Sequence, residues 1–288
     1  MRVFTKFFVI FRYFSLFFSV NVFARTDFSE SLIKSGDYYV GDVFGKHDYL
    51  HHANVKIKSF YIMNTEVSYQ IYQQVYAWGQ SHNYLFNPGC NGAIYEDCRA
   101  PEYEQGKHPV TSIEWGDAVI FANALSAIQH LQPVYLSSKG GPVRSSDETD
   151  KLHEDDRANG YRLPDINEWQ IAARGGDKAL LKNRYGDRFS GSDRADSVAW
   201  YPPFNSKNFG TAKIGSLKPN EAGVYDMSGN VYEWINDKSN SEGVTMYYFC
   251  GGSYLVHSAS LASCDSHSAK FVMSDIGFRV VRNADNEK

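Results

Sequence analysis

The sequence predicts a loop-rich fold that mixes helix with strand and is not a helical bundle. Three observations carry this. Helical and strand periodicities are confined to the first 173 residues, no segment beyond Ala173 longer than a few residues is cleanly periodic, and the chain holds 20 Tyr, 19 Phe and 23 Gly. Aromatic side chains pin irregular backbone by contact, so the second half is expected to be held by turns, aromatics and bound ions. At 288 residues, 43% hydrophobic and 22% charged, the chain can bury a sizeable core and is not disordered.

The elements follow in chain order. Val55 to Ile62 alternates apolar and polar side chains, as a half-buried strand does. Val67, Ile71, Val75 and Trp78 recur at helical spacing. Thr111 to Glu114 reads as a capping box opening a second helix, whose Ala118, Phe121, Ala122, Leu125 and Ile128 share one buried stripe. A third helix begins at Leu163-Pro164-Asp165, where Pro164 sets the first turn and Asp165 with Glu168 repeats the capping pattern. Between the second and third helices, a polar, Gly-containing stretch near 137–160 reads as a surface insertion. No internal repeat is present.

The ends and the charge bound location and partners. Arg2, Lys6 and Arg12 precede an apolar stretch from Phe14 to Val22 that ends in Val22-Phe23-Ala24, the pattern of a signal peptide over 1–24 cut before Arg25. Arg12 interrupts the apolar run, which is shorter than the roughly 20 residues of a membrane span, so no stable membrane anchor is expected. The chain from 25 to 288 is then one exported domain, periplasmic or secreted. Loss of three cations leaves 26 against 33 acidic residues, a net charge near −7. Without a basic surplus, nucleic acid is not an expected partner.

Export changes how four cysteines read, because an even count in an oxidising compartment favours disulfides. Cys90 and Cys98 flank a turn-rich segment and are close enough to staple one loop, which leaves Cys250 with Cys264. That is the best of three pairings, and a free Cys264 thiol is the main alternative. No Cys-x-x-Cys pair suggests zinc.

Gly160-Tyr161-Arg162-Leu163-Pro164-Asp165-Ile166-Asn167-Glu168-Trp169, running into Ala172-Ala173-Arg174-Gly175-Gly176, resembles the signature of the formylglycine-generating enzymes, the sulfatase-modifying factors. Further blocks agree in order: Pro219-Asn220, Gly223-Val224-Tyr225-Asp226-Met227-Ser228-Gly229-Asn230-Val231-Tyr232-Glu233-Trp234, Gly251-Gly252-Ser253-Tyr254 and Gly277-Phe278-Arg279. Upstream, Thr65-Glu66-Val67-Ser68 and Pro109-Val110 to Trp115 with Asp117-Ala118 are also similar to family elements. The resemblance spans residues 36 to 283 and implies a single irregular α+β domain of the sulfatase-modifying-factor fold, related to C-type lectins. Within Leu163 to Gly176, Arg174, Glu168 and Trp169 are expected to build a buried charge-assisted network under the third helix.

The resemblance also implies site residues. Asp226, the carbonyls of Gly229 and Val231, and Glu233 match the family's calcium motif, a set of hard oxygen ligands that suits a structural calcium ion. Active family members carry two cysteines after the GGSY block that bind copper(I), a soft metal that requires thiolates. Val256 and Leu261 occupy those positions, so neither copper nor formylglycine formation is expected. Ser253 and His257 still match, whereas Tyr232 replaces an active-site Trp and Asp275 an Asn. No phosphate loop, Gly-x-Ser-x-Gly elbow or His-x-x-x-His pair supplies another chemistry, and His257, His267 and Asp265 read as polar surface.

The expected function is an exported binding or maturation factor without copper-thiol chemistry. Its site would be a shallow aromatic depression formed by Tyr232, Ser253, Tyr254, His257 and Asp275, taking a protein, peptide or sugar ligand. Two alternatives stand beside it: another oxidative chemistry on the same scaffold, as in the family member of pyoverdine maturation, or a retroelement-diversified receptor varying between the GGS and GFR blocks.

Overall fold

The computed structural model describes residues 27–41, 53–95, 97–98, 106–202, 209–256, 259–261 and 263–284. The expected signal peptide lies outside the described residues. No helix among them is long and apolar enough to cross a membrane.

The first sheet brings together strands from the two ends of the described residues. β1 (Glu30–Ile33) pairs with β4 (Phe60–Met63), which pairs with β14 (Val281–Asn283), and β9 (Tyr161–Arg162) closes the order β1-β4-β14-β9. β2 (Gly36–Val40) and β3 (Ala53–Ile57) form a separate antiparallel ribbon. The single strand expected from Val55 to Ile62 is therefore two, broken at Lys58-Ser59. Ser59 causes the break: its hydroxyl accepts from the Ser35 amide at 2.9 Å and its carbonyl from the Ala284 amide at 3.1 Å, which draws the backbone from one sheet to the other.

Two helices pack beside this sheet. α1 (Tyr69–Ser81) starts at Ser68, whose hydroxyl accepts from the Ile71 amide, and it buries Ile71, Tyr72 and Val75. α2 (Trp115–Ile128) is capped by Glu114 with Asp117 rather than by Thr111, which lies in β6 (Val110–Thr111) paired with β5 (Cys90–Asn91). Every residue from Trp115 to Ser126 is buried, so the expected stripe is a fully wrapped core helix. Tyr72 stacks on Phe121 at 5.3 Å between the two helices. The 137–160 segment helps to wrap α2: β7 (Tyr135–Leu136) pairs with β8 (His153–Glu154), and Thr149, in a 3-10 turn, packs over Gly116.

α3 (Ile166–Ala173) has the expected Asp165–Glu168 capping box, with Pro164 one residue before the cap rather than in the first turn. α4 (Gly176–Leu181) follows. The aperiodic second half contains a second sheet: β10 (Tyr232–Ser241), β11 (Val244–Cys250), β12 (Cys264–Ser268) and β13 (Ile276–Phe278), in the order β12-β11-β10-β13. β13 runs parallel to β10, and a bulge between Trp234 and Lys238 interrupts the hairpin register. Disulfides join Cys90 to Cys98 and Cys250 to Cys264, and no described cysteine is free.

Candidate functional site

A tight turn ahead of β10 organises the centre of the second half. Asp226, Gly229 and Asn230 all adopt positive φ, at 61°, 86° and 63°. Gly229 is required there, because a Cβ would sit 2.1 Å from the Trp200 carbonyl oxygen. The turn is fixed by the Asn230 amide donating to Trp200 at 2.7 Å and the Gly229 amide to Gly251 at 2.8 Å.

This turn delivers Glu233 into the interior. Arg279, fully buried, donates from Nε and Nη2 to its two carboxylate oxygens at 2.7 and 2.6 Å, and Trp169 Nε1 adds a third bond at 2.8 Å. Arg279 also donates to the carbonyls of Met63 and Tyr225, so its guanidinium ties β10 to the first sheet, while Trp169 links α3 to the same Glu233 carboxylate. Above α3, Arg162 holds Glu168 in a two-pronged pair at 2.5 and 2.7 Å. The three motif residues do not form the single expected network: Glu168 pairs with Arg162, Trp169 bonds Glu233, and Arg174 donates to the carbonyls of Gly41 and Tyr185. Fork geometry explains why Arg stands at 162 and 279, each facing a carboxylate.

Two more carboxylates join the inner cluster. Glu66 is fully buried; its Oε1 accepts from Asn230 at 3.0 Å and its Oε2 has no hydrogen-bond partner among the described residues. Asp226 is its neighbour and accepts from the Gly215 amide at 2.6 Å. Burial, then the Asp226 and Glu233 carboxylates, push the Glu66 carboxyl well above the usual range. Three carboxylates face one guanidinium, and a proton or a cation must offset the surplus.

The calcium set divides at this cluster. Glu233 is engaged with Arg279 and Trp169, whereas the oxygen without a partner belongs to Glu66, which the sequence motif does not include. The hard-oxygen character that calcium prefers is therefore concentrated at Glu66 and Asp226. No group of three or more His, Cys, Asp or Glu among the described residues is arranged to hold a metal ion.

The expected binding residues are gathered in space but mostly not on the surface. Ser253 is fully buried and donates from Oγ to Asp275 Oδ2 at 2.6 Å, while Asp275, 3% exposed, leaves Oδ1 without a partner among the described residues. Burial raises the Asp275 carboxyl above its ordinary range, and the Ser253 hydrogen bond works against it. Tyr254 is 0% exposed and forms no part of an open depression, a correction to its expected role as a contact residue. A large ring anchored by a hydroxyl to the opposite loop is the cause: Tyr254 donates to the Tyr95 carbonyl and to Ser274 Oγ. Tyr232 is half-buried, its ring edge-on to Phe249 at 5.1 Å and its amide bonded to the Asp275 carbonyl. His257 lies outside the described residues.

The residue that sequence reasoning missed is Tyr95. Its φ is 55°, a conformation a bulky side chain rarely holds, and its ring is 59% exposed. Three hydrogen bonds hold its backbone: its amide donates to Phe209, and its carbonyl accepts from Tyr254 and Ser274, which are also bonded to each other. The Ser274 contact brings in Val272 and Met273, 46% and 38% exposed. Phe271 continues this apolar run onto Phe249. A signal for Tyr95 was available, since it lies in the loop closed by Cys90 and Cys98, where a single large aromatic has little interior to enter.

At the two positions where copper-binding relatives carry cysteine, Val256 is half-buried and Leu261 is buried in the apolar core that also holds Trp169, Cys250 and Cys264. Comparison with known proteins fits this geometry. The profile of the Sulfatase-modifying factor enzyme 1-like domain matches residues 20–284. The chain is 31% identical over 207 residues to the Chaperone protein LppX of Paenibacillus barcinonensis, covering 62% of this chain and 70% of that protein. It is 27% identical over 217 residues to the Formylglycine-generating enzyme of Streptomyces coelicolor, covering 66% of this chain and 57% of that enzyme. Among solved structures, CarF superposes with a TM-score of 0.84 at 48% identity, over 90% of this chain and all of that one.

Proposed function

Since the chain belongs to the sulfatase-modifying factor enzyme 1-like family but has Val256 and Leu261 where its copper chemistry needs thiolates, we propose that it is an exported binding or maturation factor for a polypeptide partner. The face around Tyr95, Val272, Met273 and Tyr232 does the binding. One observation carries this reading: the Tyr95 ring is presented to solvent by a left-handed backbone clamped from beneath by Tyr254. Strained backbone of this kind costs about 1–3 kcal/mol and persists only where the surroundings over-determine it, which is common at binding sites. Similarity to a protein described as a chaperone supports a polypeptide partner over a small molecule. Calcium enters the reading as a structural ion, its charge offsetting the Glu66–Asp226 surplus with carbonyl oxygens of Gly229 and Val231 as further ligands. The ion would stiffen the turn that supports β10 and takes no part in recognition.

The test is site-directed photo-crosslinking in the native host from positions 95 and 273, with the exposed Leu181 as control. Discrete adducts from 95 and 273, and not from 181, are expected. Equal adducts from all three positions, or none from 95 and 273, would sink the proposal.

A further inference from the structure

We propose that Asp265 and His267 are edge guards: their side chains seal the outward amides of β12 and keep a second copy of the chain from adding its own β12 to the sheet, wherever the polypeptide partner binds. β12 is the outer strand of the order β12-β11-β10-β13. An outer strand presents backbone donors and acceptors with which another chain can pair.

The antiparallel ladder between β11 and β12 decides which amides turn outward. Cys264 stands opposite Cys250 with Cα atoms 4.0 Å apart, the narrow spacing of a pair that exchanges no backbone hydrogen bonds. One step along the ladder, the Gly251 amide donates to the Ser263 carbonyl at 2.8 Å, as the alternation requires. Ser266 and Ser268 share the phase of Cys264, so their amides point away from β11.

Both amides are taken by side chains of their own strand. The Ser266 amide donates to Asp265 Oδ1 at 2.7 Å, and the Ser268 amide to His267 Nδ1 at 2.9 Å. An amide can only donate, so Nδ1 is the acceptor and the ring proton sits on Nε2. Asp and His serve alike because each carries an acceptor bonded to Cγ, within reach of the next residue's amide. One outward carbonyl is closed as well: that of Ser268 accepts from the Phe271 amide at 3.0 Å. The same turn lays the Phe271 ring against the His267 ring at 3.6 Å, which fixes the imidazole over its amide. Two exposed residues that read in sequence as polar surface therefore act together. Uncapped, β12 fits a second copy of itself, because identical edges pair antiparallel across a two-fold axis and would join two four-stranded sheets.

Two double variants, followed by light scattering and amide hydrogen exchange, test the guards. Asp265→Ala/His267→Ala removes both acceptors. Asp265→Asn/His267→Asn removes the charge and the imidazole, and so uncovers Phe271 equally, but keeps an oxygen on each Cγ. The dilute alanine variant is expected to exchange its Ser266 and Ser268 amides about fivefold faster than the wild type, the equivalent of one net hydrogen bond. On concentration it should gain a dimeric contact that the wild type and the asparagine variant lack, with those two amides protected in it. No gain in assembly by the alanine variant, or an equal gain by the asparagine variant, overturns the guards. Asp265→Ala alone leaves the His267 ring on Phe271 and keeps the test decisive if the double variant does not fold. Faster exchange at Ser266 with Ser268 unchanged is then expected, and an unchanged Ser266 amide overturns its cap.

Discussion

The Tyr254 hydroxyl donates to the Tyr95 carbonyl across 159 residues of sequence, joining the buried GGSY turn to the exposed disulfide loop. Tyr254 thus works from below as the post that holds up a contact residue. Tyr254→Phe should lower stability by about 1 kcal/mol, the usual net value of one hydrogen bond, because the ring still fills its site. Tyr254→Ala should cost about 3 kcal/mol or more by opening a cavity. Tyr95→Ala should stay within about 0.5 kcal/mol. Urea titrations of the three variants order them, and an equal cost for all three would contradict the post-and-contact division.

Glu233→Gln should be far more damaging than its single-atom change suggests. It removes the one carboxylate that hydrogen-bonds the buried Arg279 guanidinium at both oxygens, and breaking a buried pair from one side costs about 3–5 kcal/mol. Arg162→Met, which unpairs a carboxylate less completely buried than the Arg279–Glu233 pair, should cost less. Thermal melts decide the order, and a smaller loss at Glu233 than at Arg162 would mean the inner network is not the keystone.

How much of this was legible in the sequence depends on where the signal is local. The Asp165–Glu168 cap was readable because both partners sit within one helical turn. Both disulfide pairings were readable because each bridge spans a short separation. The second sheet was not, since Glu233, Trp234 and Ile235 are buried in succession and the bulge after Trp234 erases alternation. Nothing local to the Glu233 motif announced its partner either, since Arg279, 46 residues on, bonds both its oxygens. Tyr254 misled for the same reason: an aromatic beside a Gly-Gly turn reads as displayed, and only the distant Tyr95 carbonyl explains its burial.

Asp165 gives a pH signature of definite sign. Its carboxyl is pushed up to about 6, chiefly by burial and then by the Glu168 carboxylate. The folded state therefore keeps a proton that the unfolded chain releases near the ordinary value of about 3.9. The stability linked to that proton is complete below about pH 4 and is lost as pH rises through about 6. Asp165→Asn retains an oxygen for the Glu168 amide and should flatten this fall. Denaturation midpoints from pH 4 to 7 test it; a wild-type curve no steeper than the variant's would refute the assignment.

Calcium should raise the melting temperature through Glu66 and Asp226. A ligand bound only by the native state adds about 2.7 kcal/mol when its concentration is a hundred times its Kd. Chelation should reverse the gain, and Glu66→Gln should remove the dependence because it neutralises the oxygen that lacks a partner. A melting curve indifferent to chelator would leave the surplus charge to a proton on Glu66.

The purified protein should not convert a Cys-x-Pro-x-Arg peptide to its formylglycine form. Copper(I) is held by soft thiolates, and neither the half-buried Val256 nor the buried Leu261 offers one. The four cysteines present are committed to two bridges, and Cys264, the nearest to those positions in sequence, is inside the core with Cys250. Reduction would not rescue the chemistry, because the Cys90–Cys98 bridge releases its thiols in the Tyr95 loop and the Cys250–Cys264 bridge is buried. Aerobic incubation with copper(I), followed by mass spectrometry of the peptide, should return the peptide unchanged with or without glutathione. A mass loss matching the aldehyde in either sample would show that thiolates outside the family's two positions can assemble the oxidase, and the binding-factor reading would have to give way to an enzyme.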